Sequence, residues 1–251
     1  MTNLFDLSGK VAVVTGGTRG LGKDMALGLA SAGADVVIIG RNVDPQVVKE
    51  IENEGVRALG ISFDLLDFDQ YDALIDQIVN EMGQIDILLN NAGVQKRHPS
   101  VDFPKDDWDF VMNVNANAVF FMCQKVGKLM LEKGYGKIIN IASLLSFQGG
   151  LTVPAYAASK GAVMQFTKSL SNEWAKYGIN VNCIAPGYME TDMNTALIAD
   201  EKRNTQILER IPAGRWGKPE DMKGAAIFLA SSASDYVNGF TMAVDGGWLG
   251  R

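Results

Sequence analysis

Short runs rich in Val and Ile alternate along the chain with longer stretches whose apolar residues recur at helical spacing. The runs fall at residues 11–15, 35–39, 58–63, 85–90, 137–142, 180–184 and 240–244, and the helical patterns at 21–32, 45–53, 68–82, 105–132, 154–177 and 219–230. A strand that is apolar at every position has no face to offer water, so it must be covered on both sides, and the intervening helices supply the cover. The alternation predicts an α/β fold built on a doubly wound sheet of about seven parallel strands, with helices on both faces. No linker or repeat interrupts it, so residues 1–251 are read as one domain. Residues 190–210, after the sixth strand, show the least regular pattern. Ligands of open α/β sheets bind beyond the carboxyl ends of the strands, and this stretch is read as a mobile lid there.

Composition excludes several classes of function. Lys and Arg number 23 against 29 Asp and Glu, a net charge of -6 with no basic block, which argues against a nucleic-acid partner. One histidine, His98, and two scattered cysteines, Cys123 and Cys183, are too few and too dispersed for a structural zinc site, and no metal is expected. A Ser-His-Asp hydrolase would have to use His98, which lies in a polar stretch at 95–99. No disulfide framework is implied, residues 1–10 hold no apolar run of signal-peptide length, and no 18-residue apolar window offers a membrane span. The expectation is a cytoplasmic protein with no membrane partner.

Directly after the first strand comes Thr15-Gly16-Gly17-Thr18-Arg19-Gly20-Leu21-Gly22, opening a helix. Gly16, Gly20 and Gly22 let the backbone approach a ligand, and the helix N-terminus offers free N–H groups to a pyrophosphate. With the strand before it and the helix after it, this is read as a dinucleotide site in a Rossmann-like fold. At the end of the second strand, where NAD sites carry an acid for the ribose 2′-hydroxyl, stand Gly40 and Arg41. With no carboxylate to repel a 2′-phosphate, and with Arg41 and Arg19 able to pair with one, the local chemistry favours NADP.

The fifth strand ends at Ser143; Tyr156 follows, and Lys160 lies one helical turn beyond it. Hydride transfer from a secondary alcohol needs a base for the hydroxyl proton. An ammonium and an oxidised nicotinamide beside Tyr156 would each favour its phenolate, and Ser143 would hydrogen-bond the substrate oxygen.

The glycine loop, Asn90-Asn91-Ala92-Gly93, Ser143, the Tyr156-x-x-x-Lys160 pair and Pro186-Gly187 occur in an order that resembles the short-chain dehydrogenase/reductase family, over the whole chain. The resemblance implies Tyr156 as general acid/base, Ser143 as substrate orienter, Lys160 on the nicotinamide ribose, and Asn115 supporting a water-linked proton path. It further implies a nucleotide held along Thr18, Leu21, Asp64, Leu65, Asn91, Ala92 and Gly93, with the carboxamide at Pro186, Gly187, Met189 and Thr191. Residues 140–150, 211–217 and 233–248 resemble the 2-deoxy-D-gluconate 3-dehydrogenases, a group that also acts on 2-dehydro-3-deoxy-D-gluconate at carbon 5 and lies near the gluconate 5-dehydrogenases. That implies a sugar-acid substrate. It also implies NAD, against the arginines' preference for NADP, so the cofactor stands as NAD or NADP. A substrate carboxylate calls for a cation or N–H donors, and Lys96, Arg97, Gln148 and Arg215 are the candidates, Arg97 first; His98 reads as a solvated loop residue. Two other readings stand beside this one: a 3-oxoacyl-carrier-protein reductase, and a nucleotide-sensing protein without chemistry. Apolar arcs at Val114, Phe120, Phe121 and Met122 and at Val163, Met164 and Phe166, with the family resemblance, imply a homotetramer in which these helices pair.

Overall fold

The Val and Ile runs sort their side chains by parity. In the computed structural model, which describes residues 3–251, Val11 and Val13 of the first strand pack with Leu74 and Ile78, Met122 and Val126, and Val163 and Leu170. Ala12 and Val14 pack on the opposite side with Met25 and Leu29, Ile51, and Ala226 and Leu229. Because successive strand side chains point to opposite faces, an unbroken apolar run feeds both layers at once.

The strands β1 (Val11–Thr15), β2 (Asp35–Gly40), β3 (Ala58–Ser62), β4 (Ile87–Asn90), β5 (Gly136–Ile141), β6 (Ile179–Pro186) and β7 (Thr241–Val244) form one parallel sheet in the order β3-β2-β1-β4-β5-β6-β7. The chain works outward from β1 to β3 and then returns to β4, so the order reverses between β1 and β4. At that reversal the connections leave in opposite directions and a cleft opens beyond the strand ends. Register brings the ends level there, Thr15 opposite Asn90 and Asn90 opposite Asn140.

Helices α1 (Gly20–Ser31), α2 (Pro45–Glu52), α3 (Tyr71–Met82), α4 (Lys105–Met112), α5 (Ala118–Lys133), α6 (Pro154–Trp174), α7 (Thr195–Ala199), α8 (Glu201–Leu208) and α9 (Lys223–Ala230) cover the sheet. Two expectations need correction. The single helix read over 105–132 is broken by a π turn at Asn113–Asn117, which joins α4 to α5. The stretch 190–210, read as irregular, is mostly helical, with a short 3-10 turn at Asp192–Asn194 followed by α7 and α8. Its apolar residues are few because only one side is covered: Ile207 packs with Leu144, Ile211, Trp216 and Trp248 in a small separate cluster.

Behind the cleft the core holds a closed polar network. Asn90 donates to Asn140 Oδ1 at 2.9 Å, and Asn140 donates to Thr167 Oγ1 at 2.9 Å. The two cysteines are free and belong to it, and burial pushes the Cys123 thiol up to about 12 and the Cys183 thiol up to about 11. Neither is poised as a nucleophile.

Candidate active site

All the residues expected at the nucleotide line one cleft of about 360 Å³ at the β1–β4 reversal, from Gly16, Gly20 and Arg41 at one end to Pro186, Gly187 and Thr191 at the other. Two of the loop glycines are demanded by backbone: φ is +65° at Gly16 and +53° at Gly20, the left-handed region that L side chains avoid. Gly22 is demanded by packing, since a Cβ there would sit 2.2 Å from the Gly16 carbonyl oxygen and 2.3 Å from the Asn91 amide nitrogen. That amide donates to the carbonyls of Thr15 and Gly16 at 3.2 and 3.0 Å. Asn91 thus lines the cleft while its side chain braces the glycine loop. An open left-handed turn leading into uncapped α1, whose N-cap Arg19 makes no side-chain cap bond, fits a dinucleotide pyrophosphate.

At the other end of the loop, a Cβ on Gly40 would meet Thr18 Cγ2 at 2.9 Å, so Thr18 occupies the space that an acidic side chain at position 40 would need. Arg41 is exposed at this rim. Arg19 pairs with Asp192 at 3.3 Å, both about 80% exposed (80% and 82%), a contact that yields readily to a competing anion. Asp64 lines the same end, with Oδ1 accepting the Leu66 N–H at 3.0 Å.

The chemistry-bearing residues meet where α6 begins. Pro154 takes the first helical position, where its missing N–H costs nothing, and sets Tyr156 and Lys160 one turn apart. The loop after β5 is tied to that turn by Ser146, whose hydroxyl donates to the Lys160 carbonyl at 2.7 Å. Ser143 Oγ accepts the Leu145 N–H at 3.1 Å, which leaves its own proton free to donate. Lys160 is buried, 3% exposed, and donates to the Ile141 carbonyl at 2.6 Å; desolvation brings it down from 10.5 to about 8. Burial also raises the Tyr156 hydroxyl above its ordinary pKa, with a hydrogen bond from Ser143 opposing it. The expected acidification of Tyr156 by its neighbouring ammonium is therefore not present in the protein alone. The phenolate is disfavoured by the same dry surroundings that weaken the ammonium.

Asn115 stands in the π turn, wholly buried, and does not line the cleft. Its Oδ1 accepts the Val94 N–H at 2.8 Å, and its amide donates to Val94 O at 2.9 Å and to Ser159 Oγ at 3.1 Å. The side chain clamps the loop after β4 to α6 beneath Tyr156 and Lys160.

The model of the short chain dehydrogenase family matches residues 10–202. A 2-dehydro-3-deoxy-D-gluconate 5-dehydrogenase of Escherichia coli (strain K12) is 56% identical over 248 residues, 98% of each chain. The chain belongs to the short-chain dehydrogenase family. A gluconate 5-dehydrogenase of Gluconobacter oxydans is 45% identical over 98% of this chain and 96% of its own. Among solved structures, a gluconate 5-dehydrogenase from Burkholderia cenocepacia in complex with NADP and tartrate superposes with a TM-score of 0.94 at 45% identity, covering 99% of this chain and 98% of that one. The protein is an NAD(P)-dependent oxidoreductase acting on CH–OH groups.

In this short-chain dehydrogenase a second cavity, of about 490 Å³, adjoins the first and shares Ser143, Tyr156, Gly187, Met193 and Asn194 with it. Arg97 and Gln148 line it, as expected for substrate candidates. Three other expectations fail. Arg215 is taken up by a two-pronged pair with Asp221, at 2.7 and 2.9 Å, and lines a different pocket. Lys96 is paired with Asp107 at 3.1 Å. His98 is not simply solvated: its Nε2 lies 2.6 Å from the other Asp107 oxygen and its ring stands edge-on to Phe103. These pairings join residues six to eleven apart across loops, not within one helix or strand, so spacing alone does not show them. The same cavity holds Arg203, Gln206, Ile207 and Arg210, residues the sequence reading missed. Their spacing of three, four and seven is a helical signal, hidden because residues 190–210 carry few apolar residues to mark a buried face.

Proposed function

We propose that this short-chain dehydrogenase transfers hydride between NADP and a secondary hydroxyl or ketone of a sugar acid, of the 2-deoxy-D-gluconate, 2-dehydro-3-deoxy-D-gluconate or gluconate type. The observation that carries the reading is the wall formed by Ser143 and Tyr156 between the two cavities, with the second cavity charged only by arginines. An acidic protein of net charge -6 that gathers only cations around a reaction cavity is arranged for an anionic substrate. The names of the relatives support the same class. NADP is favoured by Gly40, Arg41 and Arg19, and agrees with the nucleotide in the Burkholderia structure.

Nicotinamide supplies the hydride acceptor or donor when bound. Tyr156 takes the substrate proton on oxidation and returns it on reduction. Ser143 donates to the substrate oxygen as charge develops there. Lys160 binds the nucleotide ribose and steadies the phenolate, and Asn115 holds the floor beneath both. Residues Gly16 to Gly22, Asp64, Leu65, Asn91 to Gly93 and Pro186 to Thr191 carry the nucleotide, while Arg97 and Gln148 face the substrate. Residues 1–251 act as one nucleotide-binding domain. Exposed Phe121, Phe147, Leu151 and Phe240 support a homotetramer. A cytoplasmic location is supported by two free, buried cysteines and by the lack, among the described residues, of a helix long and apolar enough to cross a membrane.

Initial rates with gluconate, 2-deoxygluconate, 2-dehydro-3-deoxygluconate and a 3-oxoacyl ester, each with both nucleotides, test the reading. Turnover of a sugar acid with NADP or NADPH is expected. Preference for the 3-oxoacyl ester, or tight nucleotide binding with no turnover of any of them, would overturn it.

A further inference from the structure

The charged side chains lining the second cavity are Arg97, Arg203 and Arg210, with no carboxylate among the lining residues. Among the described residues, none of the three is in an ion pair. We propose that Arg210 and Arg203 bind the substrate carboxylate, and that Trp248 and Gln148 hold Arg210 ready for it. This rests on the sugar-acid reading and deepens it by fixing which end of the acid goes where: the reacting carbon at Ser143 and Tyr156, the carboxylate against α8.

Arg203 and Gln206 lie on α8 and Arg210 in the turn that follows it, where its backbone N–H donates to the Ile207 carbonyl at 3.1 Å, and both arginines line the same wall. Ile207 is buried in the cluster with Trp216 and Trp248, which fixes that segment toward the cavity. Arg210 is set in place from two sides. Its guanidinium lies over the Trp248 ring, 4.0 Å from the centroid, and one N–H donates to Gln148 Oε1 at 3.4 Å. The Trp248 indole N–H donates to the same oxygen at 3.3 Å, and the ring packs tilted, at 53°, against Tyr188 with 4.7 Å between centroids. The turn carrying Trp248 is closed by Asp245, whose oxygens accept the N–H groups of Gly247 and Leu249 at 2.9 and 2.8 Å.

One used N–H leaves the rest of the guanidinium fork for a ligand, and a fork already held over an indole loses little freedom when it pairs with a planar carboxylate. Gln148 accordingly serves as a positioning residue, with its carbonyl oxygen taken by two donors. Arg97 enters from the opposite rim, exposed and without such bracing among the described residues. The arginines for the nucleotide phosphate, Arg19 and Arg41, line the other cleft, so the two sets do not compete.

The test compares 5-keto-D-gluconate with its neutral amide, as the ratio of kcat/KM values, in wild type, Arg210→Ala, Arg210→Lys, Arg203→Ala and Arg97→Ala. In parallel, D-gluconate is titrated into the NADP-loaded forms by calorimetry. Arg210→Ala is expected to cut the acid-to-amide ratio by about tenfold or more, Arg203→Ala by less, and Arg210→Lys to recover part of it. Trp248→Leu should lower the ratio and Trp248→Phe restore most of it, a split that loss of folding would not produce. An unchanged ratio in Arg210→Ala, or a larger fall in Arg97→Ala, would overturn the assignment while leaving the sugar-acid reading in place. Gluconate binding that Arg210→Ala abolishes, with no turnover of any sugar acid by wild type, would uphold the carboxylate site and sink that reading. Absence of gluconate binding to the wild type would overturn the site.

Discussion

Replacing Asn115 by Ala is expected to act on stability before it acts on chemistry. The amide is fully buried and makes three bonds, to both backbone groups of Val94 and to Ser159 Oγ. Each bond is worth ~1 kcal/mol net, and truncation leaves the Val94 N–H and carbonyl without their side-chain partner, so the loss is about 3 kcal/mol. For a chain of this length each kcal/mol moves Tm by roughly 2–4 °C, which gives a fall of about 6–12 °C. Ser159→Ala removes one of the three bonds and should cost only a few degrees. Asn115→Asp keeps the acceptor for the Val94 N–H but loses both donated bonds. Its carboxylate would also stand close to Lys160, because Asn115 Oδ1 and Lys160 Nζ both lie within 4 Å of the point where a Gly93 side chain would begin (3.5 and 3.7 Å). The assay is differential scanning calorimetry of the three variants, with kcat and the NADPH Kd measured at a temperature where all are folded. A Tm for Asn115→Ala within 2 °C of wild type, with kcat collapsed, would refute the structural role and put the amide in the proton path itself.

Further outcomes follow from the site. Lys160, at about 8 in the folded protein against 10.5 ordinarily, has released a proton that the unfolded chain still holds between those pH values. Stability from this residue therefore rises with pH across that window, and the wild-type Tm should rise relative to that of Lys160→Met from pH 8 to pH 10.5; a pH-independent difference would contradict the lowered pKa. Gly22→Ala drives a Cβ into the Gly16 carbonyl and the Asn91 amide, and should weaken NADPH binding at least about tenfold by fluorescence titration, with unchanged affinity showing that the loop can yield. Arg41→Ser should raise the Kd for NADPH by about tenfold or more and leave that for NADH nearly as it was, and equal effects on both would remove Arg41 from the 2′-phosphate.

The fold was legible in the sequence because two-sided burial leaves a direct trace: the unbroken apolar runs Val11–Val14, Val36–Ile39 and Ile87–Leu89 admit little except a covered parallel strand. The site residues were legible for a related reason, since strand-end positions and a one-turn spacing are local properties. What local pattern could not show was set by loop paths and by contacts between segments with no periodic relation. The π turn at Asn113–Asn117 leaves no break in helical periodicity that a reader could see, yet it is what aims Asn115 at Val94 and Ser159. The pairing of Arg215 with Asp221 and of His98 with Asp107 depends on loop paths, as does the stacking of Arg210 on Trp248. In the protein alone the Tyr156 hydroxyl stands above its ordinary pKa, a direction that sequence does not show because a neighbouring charge is visible there and dryness is not.

The account centres on the Tyr156 hydroxyl moving the substrate proton at the wall between the nucleotide and arginine-lined cavities. Stopped-flow oxidation of NADPH by 5-keto-D-gluconate in Tyr156→Phe tests this most directly, with the NADPH Kd measured on the same preparation. A rate lower by about 10²–10⁴ with nucleotide affinity held within about threefold is the expected result. A rate within tenfold of wild type would contradict it.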